Sequence, residues 1–247
     1  MTADIVTYEV RDRIAIITIN RPDKRNALTK EVVDRLNAAW KRFSASDERV
    51  AIITGSGEAA FTAGANLDDI PHDLWRAIPG IGVAVDKPVI AAVFGWVVGG
   101  GLLFAQYADL VVAAESTRFS YPEAKVGFSG GLIASLVARI PHKVAMELLL
   151  LGEPISAHRA YEAGLVNRVV PDGSQLETAL ELAAKLAGNA PLVLAQLKRF
   201  VGETLPKGPS ERAGIARRQV DEVTFSEDAA EGLAAFKAKR PPVFQGR

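Results

Sequence analysis

Two glycine-rich stretches are the first places in this chain where residue type and spacing suggest chemistry. Ala63-Gly64-Ala65 follows Phe61, and Gly99-Gly100-Gly101 follows the apolar run at 88–93. Glycine at the end of a strand, opening a helix, leaves backbone N–H groups unblocked and directed outward. Two such turns on neighbouring parallel strands would let two N–H groups converge on one point. That is the geometry of an oxyanion hole, which stabilises charge developing on a carbonyl oxygen. The same glycines would equally serve tight packing of a helix on a strand. Either stretch alone favours packing, whereas two of them about 35 residues apart in an α/β unit make the chemical reading competitive.

Other motifs say less. Gly127-Phe128-Ser129-Gly130-Gly131 satisfies G-x-S-x-G, the serine elbow of α/β hydrolases, but the preceding Tyr121–Val126 carries a proline and two charges where a strand is required. The last histidine, His158, follows Ser129 by only 29 residues, with Glu147 and Glu153 between them. A packing turn is therefore the better reading of that motif. His72, His142 and His158 lack metal-ligand spacing, so no metal is expected. Neither a P-loop nor a dinucleotide fingerprint is present.

The elements that must position the glycine turns can be read from periodicity. Residues 5–10 and 13–20 alternate as a hairpin around Arg11-Asp12, although that pair is not a favoured two-residue turn. Val32, Val33, Leu36, Trp40 and Phe43 fall on one helical face after Thr29. Apolar strands at 51–54, 88–93 and 109–114, with a helix at 102–108, predict βαβ units and a largely parallel sheet. From about residue 131 the pattern turns helical: 131–140, 143–151, a helix capped by Ser156 and ending at Gly164, then 174–188, 191–203, 209–225 and 227–239. One short strand, 165–170, interrupts them. Lys and Arg total 29, as do Asp and Glu, so no general field attracts nucleic acid. Zero cysteines exclude disulfides, Fe–S clusters and a thiol nucleophile. The N-terminal stretch 1–13 lacks an apolar run, and the apolar stretch 89–105 is broken by glycine. A cytoplasmic protein without a membrane span is expected.

In order and over nearly its whole length, the chain resembles the crotonase superfamily, that is, the enoyl-CoA hydratase/isomerase family. The matching stretches are TINRPDKRNAL (18–28), AIITGSGEAAFTAGANL (51–67), KPVIAAVFGWVVGGG (87–101), ADLVVAAESTRFSYPEAKVG (108–127), AMELLLLGEPISAHRAYEAGLVNRVVP (145–171) and KRPPVFQGR (239–247). The resemblance implies an α/β fold, a crotonase-like spiral of ββα units over 1–190. It also implies a C-terminal helical region at 191–247 that packs on the core or on a neighbouring subunit in a homotrimer or hexamer. It further implies an acyl-CoA thioester as the small-molecule substrate, with coenzyme A part of that substrate and no separate cofactor. By position, the N–H groups of Ala65 and Gly100 would hold the thioester oxygen. The loop carrying Lys24, Arg25, Asn26, Ala27 and Leu28 would border the CoA channel with Ala63, and Phe236 and Lys239 match a tail segment placed near CoA.

Typical hydratases of the family carry two glutamates, one after the glycine triplet and one in a Pro-Glu dipeptide. Pro122-Glu123 supplies the second, while Leu103 stands at the first position. From local sequence alone Glu123 reads as a surface partner of Lys125; its place in the family pattern makes it the proton shuttle. A single glutamate beside an oxyanion hole suits proton transfer between carbons, as in the family's isomerases, or an atypical hydration. A family hydrolase, a C–C bond-cleaving enzyme and a CoA binder without catalysis are the alternatives. Asn66 replaces the common aspartate as a helix cap, and Phe94, Trp96 and Phe104 read as packing residues near an altered 128–135 stretch.

Overall fold

The structure, a computed structural model, describes residues 4–247. The first three residues of the stretch inspected for a leader lie outside that range. Strands β1 (Val6–Arg11) and β2 (Ile14–Ile19) form an antiparallel hairpin in the register Arg11↔Ile14. Its turn is Asp12-Arg13, one residue later than the sequence suggests, and both residues have positive φ, 48° and 64°. Two left-handed central residues match the twist of the strands, which outweighs the poor preference of arginine there. Helix α1 (Lys30–Ala45) starts where expected, with the Thr29 hydroxyl accepting the Val32 N–H at 3.3 Å. Its apolar face is buried, and the Trp40 indole N–H donates to Ala77 O at 2.8 Å. Burying that ring therefore leaves no unpaired donor, which would cost about 1–3 kcal/mol.

The middle of the chain is built from repeated pairs of strands. β3 (Val50–Gly55) is followed by β4 (Ala60–Thr62); β5 (Val89–Val93) by β6 (Trp96–Val98) and helix α2 (Gly100–Tyr107); β7 (Leu110–Ala114) by β8 (Arg118–Ser120) and the short α3 (Glu123–Val126). The segment expected to be helical at 131–140 is a 3₁₀ helix, Gly131–Ala138. Then come α4 (His142–Leu151), β9 (Ile155–Ser156), α5 (Ala157–Glu162), β10 (Arg168–Val170), α6 (Gln175–Gly188), α7 (Pro191–Thr204), α8 (Pro209–Thr224) and α9 (Glu227–Ala238). The larger sheet runs β1-β2-β3-β5-β7-β10 and the smaller β4-β6-β8-β9. Each pair thus sends its first strand to the large sheet and its second to the small one. Every repeat steps both sheets forward by one strand, and the result is the spiral of ββα units.

Both faces of the large sheet are covered, as its continuous apolar strands demand. Ala51, Ile53, Val89, Ala91 and Val93 face one core, whereas Val50, Ile52, Ile90, Ala92 and Val112 face α6. Ala179 and Ala183, one turn apart on α6, bring that helix close to the strands. The C-terminal helices are tied to this body by charge as well as contact. Lys198 on α7 donates to Lys87 O at 2.8 Å and to Asp109 at 2.7 Å, and Arg199 pairs with Asp86. The last residues fold back along α9, where Arg240 makes two bonds of 2.6 and 2.7 Å to Glu231. Among the described residues, no helix is long and apolar enough to cross a membrane.

Candidate active site

The two glycine turns leave neighbouring parallel strands, since β4 pairs with β6 in the register Thr62↔Val97. Neither β6 nor β8 is apparent in the sequence, because three residues are too few for a period to show. Leu28 donates to Gly64 O and accepts from Asn66 N–H, both at 2.8 Å. In parallel pairing, the residue between two such bonded groups turns its own N–H to the opposite side. The Ala65 N–H is therefore free of Leu28, and it has no acceptor among the described residues. Gly100 opens α2, so its N–H is one of those a helix start leaves unpaired. A Cβ on Gly64 would lie 2.9 Å from Val98 O, which places the two turns side by side.

Glu123 reaches the same place from β8 and the start of α3. The Gly99 N–H donates to Ser120 O at 2.9 Å, and a Cβ on Gly99 would sit 2.6 Å from Glu123 Oε1. Any side chain there would push that carboxyl aside, and the φ of +54° at Gly99 itself favours glycine. The carboxyl thus lies against the α-carbon immediately before Gly100. It is 9% exposed, and Oε2 has no partner among the described residues. Loss of water penalises its charged form and pushes the pKa up to about 7, against an opposing backbone hydrogen bond. A carboxyl in that range gives and takes protons near neutrality.

The surroundings of these groups are apolar. Leu74 Cδ2 and Leu28 Cδ1 stand 2.6 and 3.1 Å from where a Gly100 Cβ would be, and Gly101 rests on the Thr62 side chain. Leu103, one helical turn beyond Gly100, is 5% exposed and belongs to the core. Sequence reasoning missed Leu74 and Thr62, because their role is contact across segments. It also missed Tyr121, whose hydroxyl pairs with Gly130.

The expected CoA residues divide into groups. Ala63 N–H donates to Arg25 O at 2.9 Å, so the 24–28 loop and the Ala63–Asn66 turn are stitched together. Lys24 and Arg25 are exposed beside this seam, Ala27 and Ala63 are half-buried, and the Leu28 side chain is fully buried. Asn26 is corrected from channel lining to internal strut. Its Oδ1 accepts Arg21 N–H, and its Nδ2 donates to Ser56 O and Ala60 O at 2.9 and 2.8 Å. Phe236 is 83% exposed on α9, which packs on α8, and Lys239 forms the left-handed cap of that helix. Among the described residues, no hydrogen bond links this pair to the 24–28 loop or to Glu123.

Two further readings change, at Asn66 and Trp96, while the rejection of a serine elbow stands. The Asn66 side chain accepts Asp68 N–H at 3.2 Å and closes a turn, so it caps no helix. Phe94 and Phe104 are buried, as packing residues should be, but Trp96 is 44% exposed. Ser129 is exposed and follows helix α3 instead of a strand, which removes the hydrolase elbow. The three histidines are likewise exposed. Surface clefts of about 480 and 560 Å³, lined by residues such as Lys41 and Arg218 or Arg49 and Pro191, contain neither Glu123 nor the glycine turns.

The chain is similar to known proteins over nearly its whole length. The family model for enoyl-CoA hydratase/isomerase matches residues 9–247. An enoyl-CoA hydratase of Mycobacterium tuberculosis, EchA19, is 38% identical over 255 residues, covering 97% of this chain and 96% of the relative. A carnitinyl-CoA dehydratase of Salmonella typhi is 39% identical over 249 residues, covering 94% of each. The crystal structure of a carnitinyl-CoA hydratase from Mycobacterium avium superposes with a TM-score of 0.77 at 38% identity, covering both chains completely. The chain belongs to the enoyl-CoA hydratase/isomerase family, and its fold is that of the crotonases.

Proposed function

We propose that this enzyme acts on an acyl-CoA thioester, holding the thioester oxygen with the Ala65 and Gly100 N–H groups and moving a proton with Glu123 alone. The observation that carries the reading is the Glu123 carboxyl packed against Gly99, immediately before the unpaired N–H of Gly100. Two donors polarise the carbonyl, which acidifies the α-carbon and stabilises the enolate formed when its proton leaves. The carboxylate takes that proton, becomes neutral in a site that favours neutrality, and returns it to the same face of the ligand. Isomerisation of a 3-enoyl to a 2-enoyl thioester needs no more. Lys24 and Arg25, exposed beside the stitched loops, would meet the CoA phosphates, with Ala27 and Ala63 bordering the channel and the buried Leu28 backing the Ala63–Asn66 turn.

Hydration is the second reading, favoured by the names of the relatives at 38–39% identity. It asks one carboxylate to hold and activate a water molecule, since Leu103 offers an alkyl chain. A panel of 3-enoyl-, 2-enoyl- and saturated acyl-CoA thioesters, followed by mass spectrometry, separates these outcomes. Double-bond migration without added mass supports the isomerase reading. Rapid gain of water by the 2-enoyl substrate supports the hydratase. Free CoA, chain cleavage or binding without conversion would defeat both.

Leu103→Glu is expected to raise hydration of 2-enoyl-CoA from a low base by restoring a second carboxylate. The same change should lower the melting temperature, because a carboxyl in that 5%-exposed position must give up water. Unchanged hydration in a folded Leu103→Glu protein would show that position 103 does not face the substrate.

Self-association is also expected. Leu192, Val223, Phe225 and Phe236 on the C-terminal helices and their junctions are 70–84% exposed. Exposed large apolar side chains on each of the C-terminal helices point to an interface, through which Phe236 and Lys239 would reach the CoA of a neighbouring copy. Sedimentation at micromolar concentration should give a trimer or hexamer, and a monomer would remove the argument.

A further inference from the structure

Residues 127–130 form an arch that springs from the end of the helix carrying Glu123. One foot of the arch is held by Glu123 itself, whose carbonyl oxygen accepts the N–H groups of Gly127 and, at 3.1 Å, Phe128. The other foot is held by Tyr121. Its hydroxyl donates to Gly130 O at 3.1 Å and accepts the Gly130 N–H at 3.3 Å. Tyr121 is 6% exposed, while Phe128 on top of the arch is 41% exposed. A short segment rich in glycine has little intrinsic reason to keep one conformation, since glycine loses the most freedom on ordering. Two hydrogen bonds to one buried hydroxyl supply that reason. Nothing in the proton transfer proposed above uses the Tyr121 hydroxyl.

We propose that Tyr121 is a positioning residue whose hydroxyl pins the 127–130 arch and thereby keeps water from the Glu123 carboxyl. Tyr121 itself stays neutral over the working range, because burial and the nearby Glu123 charge push its pKa up to about 12. The other titratable side chains on the packed elements are Arg118 on β8, Lys125 on α3, and His142, Lys143 and Glu147 on α4, all exposed, and the half-buried Tyr107 on α2, whose hydroxyl pairs with Ser135. The protonation of Glu123 therefore answers to water access, and water access answers to the arch.

Tyr121→Phe keeps the ring and removes only the oxygen, and circular dichroism reports whether the fold survives. The Glu123 carboxyl can be titrated by carbon NMR in glutamate-labelled protein, its signal identified by absence in Glu123→Gln. Its midpoint should lie near 7 in the unaltered protein and fall toward the ordinary 4.5 in Tyr121→Phe. Amide exchange at Gly130 should quicken by about tenfold, the scale of one lost hydrogen bond. In the unaltered protein, with no variant needed, the Gly130 amide should exchange more slowly than that of Ser129. A folded Tyr121→Phe protein with an unchanged Glu123 midpoint overturns the proposal, and so does a fast-exchanging Gly130 in the unaltered protein. This inference uses the proposed role of Glu123 only for its kinetic consequence, a matching shift in the pH profile of turnover. Both spectroscopic readouts are independent of turnover, so an inactive protein would defeat the functional reading while they still decide on Tyr121.

Discussion

Glu123→Gln is expected to reduce turnover by about 10²–10⁴-fold, the usual worth of a general acid–base group, with affinity for a saturated acyl-CoA nearly unchanged. The amide matches the carboxyl in shape and lacks only the proton chemistry, so binding and transfer separate cleanly. Stability should move the opposite way. The native carboxyl holds its proton up to about pH 7, whereas an ordinary one releases it near 4.5. Between those values the folded state binds more protons than the unfolded state, so stability falls as pH rises and the full penalty stands above pH 7. Its size is about 3 kcal/mol, taking 1.36 kcal/mol per pKa unit. Glu123→Gln removes that penalty and incurs a smaller one for an unpaired buried amide. The variant should therefore gain stability over the parent at pH 8 and lose that advantage at pH 4. Thermal unfolding at the two pH values checks this, and an equal difference at both would mean that the carboxyl is not held neutral by the fold. Turnover that survives in Glu123→Gln would assign the proton to another group.

Gly100→Pro should cost turnover about 10²–10³-fold, the loss typical of removing one oxyanion donor. Proline is tolerated at the first position of a helix, where its missing N–H has no helical partner. Gly100 occupies that position in α2, and its φ is not among the positive ones. The ring would press on Leu74 and Leu28, so circular dichroism must first show a folded protein. Gly100→Ala is the control. Its Cβ would meet the flexible end of Leu74 at 2.6 Å, which can turn aside, and the N–H remains. Most activity should survive in the alanine variant and little in the proline one. A folded proline variant with ordinary turnover would remove Gly100 from the oxyanion hole.

The parts of this protein that repeat or run long are legible in its residues alone. Helix α1 can be read because Val32, Val33, Leu36, Trp40 and Phe43 keep one face of a sixteen-residue helix. The buried strands show as unbroken apolar runs, and the glycine turns as composition that neither helix nor strand would choose. Ordered matches along the chain then identify the family. What depends on contacts between segments is settled only in the folded protein. The short strands β6 and β8 exist because the small sheet supplies their partners, not because three residues prefer to extend. Asn26 looks like a polar loop residue, yet its amide is the internal brace of two loops some thirty positions apart. Glu123 looks like a surface carboxylate beside Lys125 until the fold sets its carboxyl against Gly99 and strips most of its water. Local sequence specifies which groups a residue carries. Whether a carboxyl is charged, or an N–H is free, depends on what the rest of the chain places against it, and only the folded arrangement of distant segments sets that.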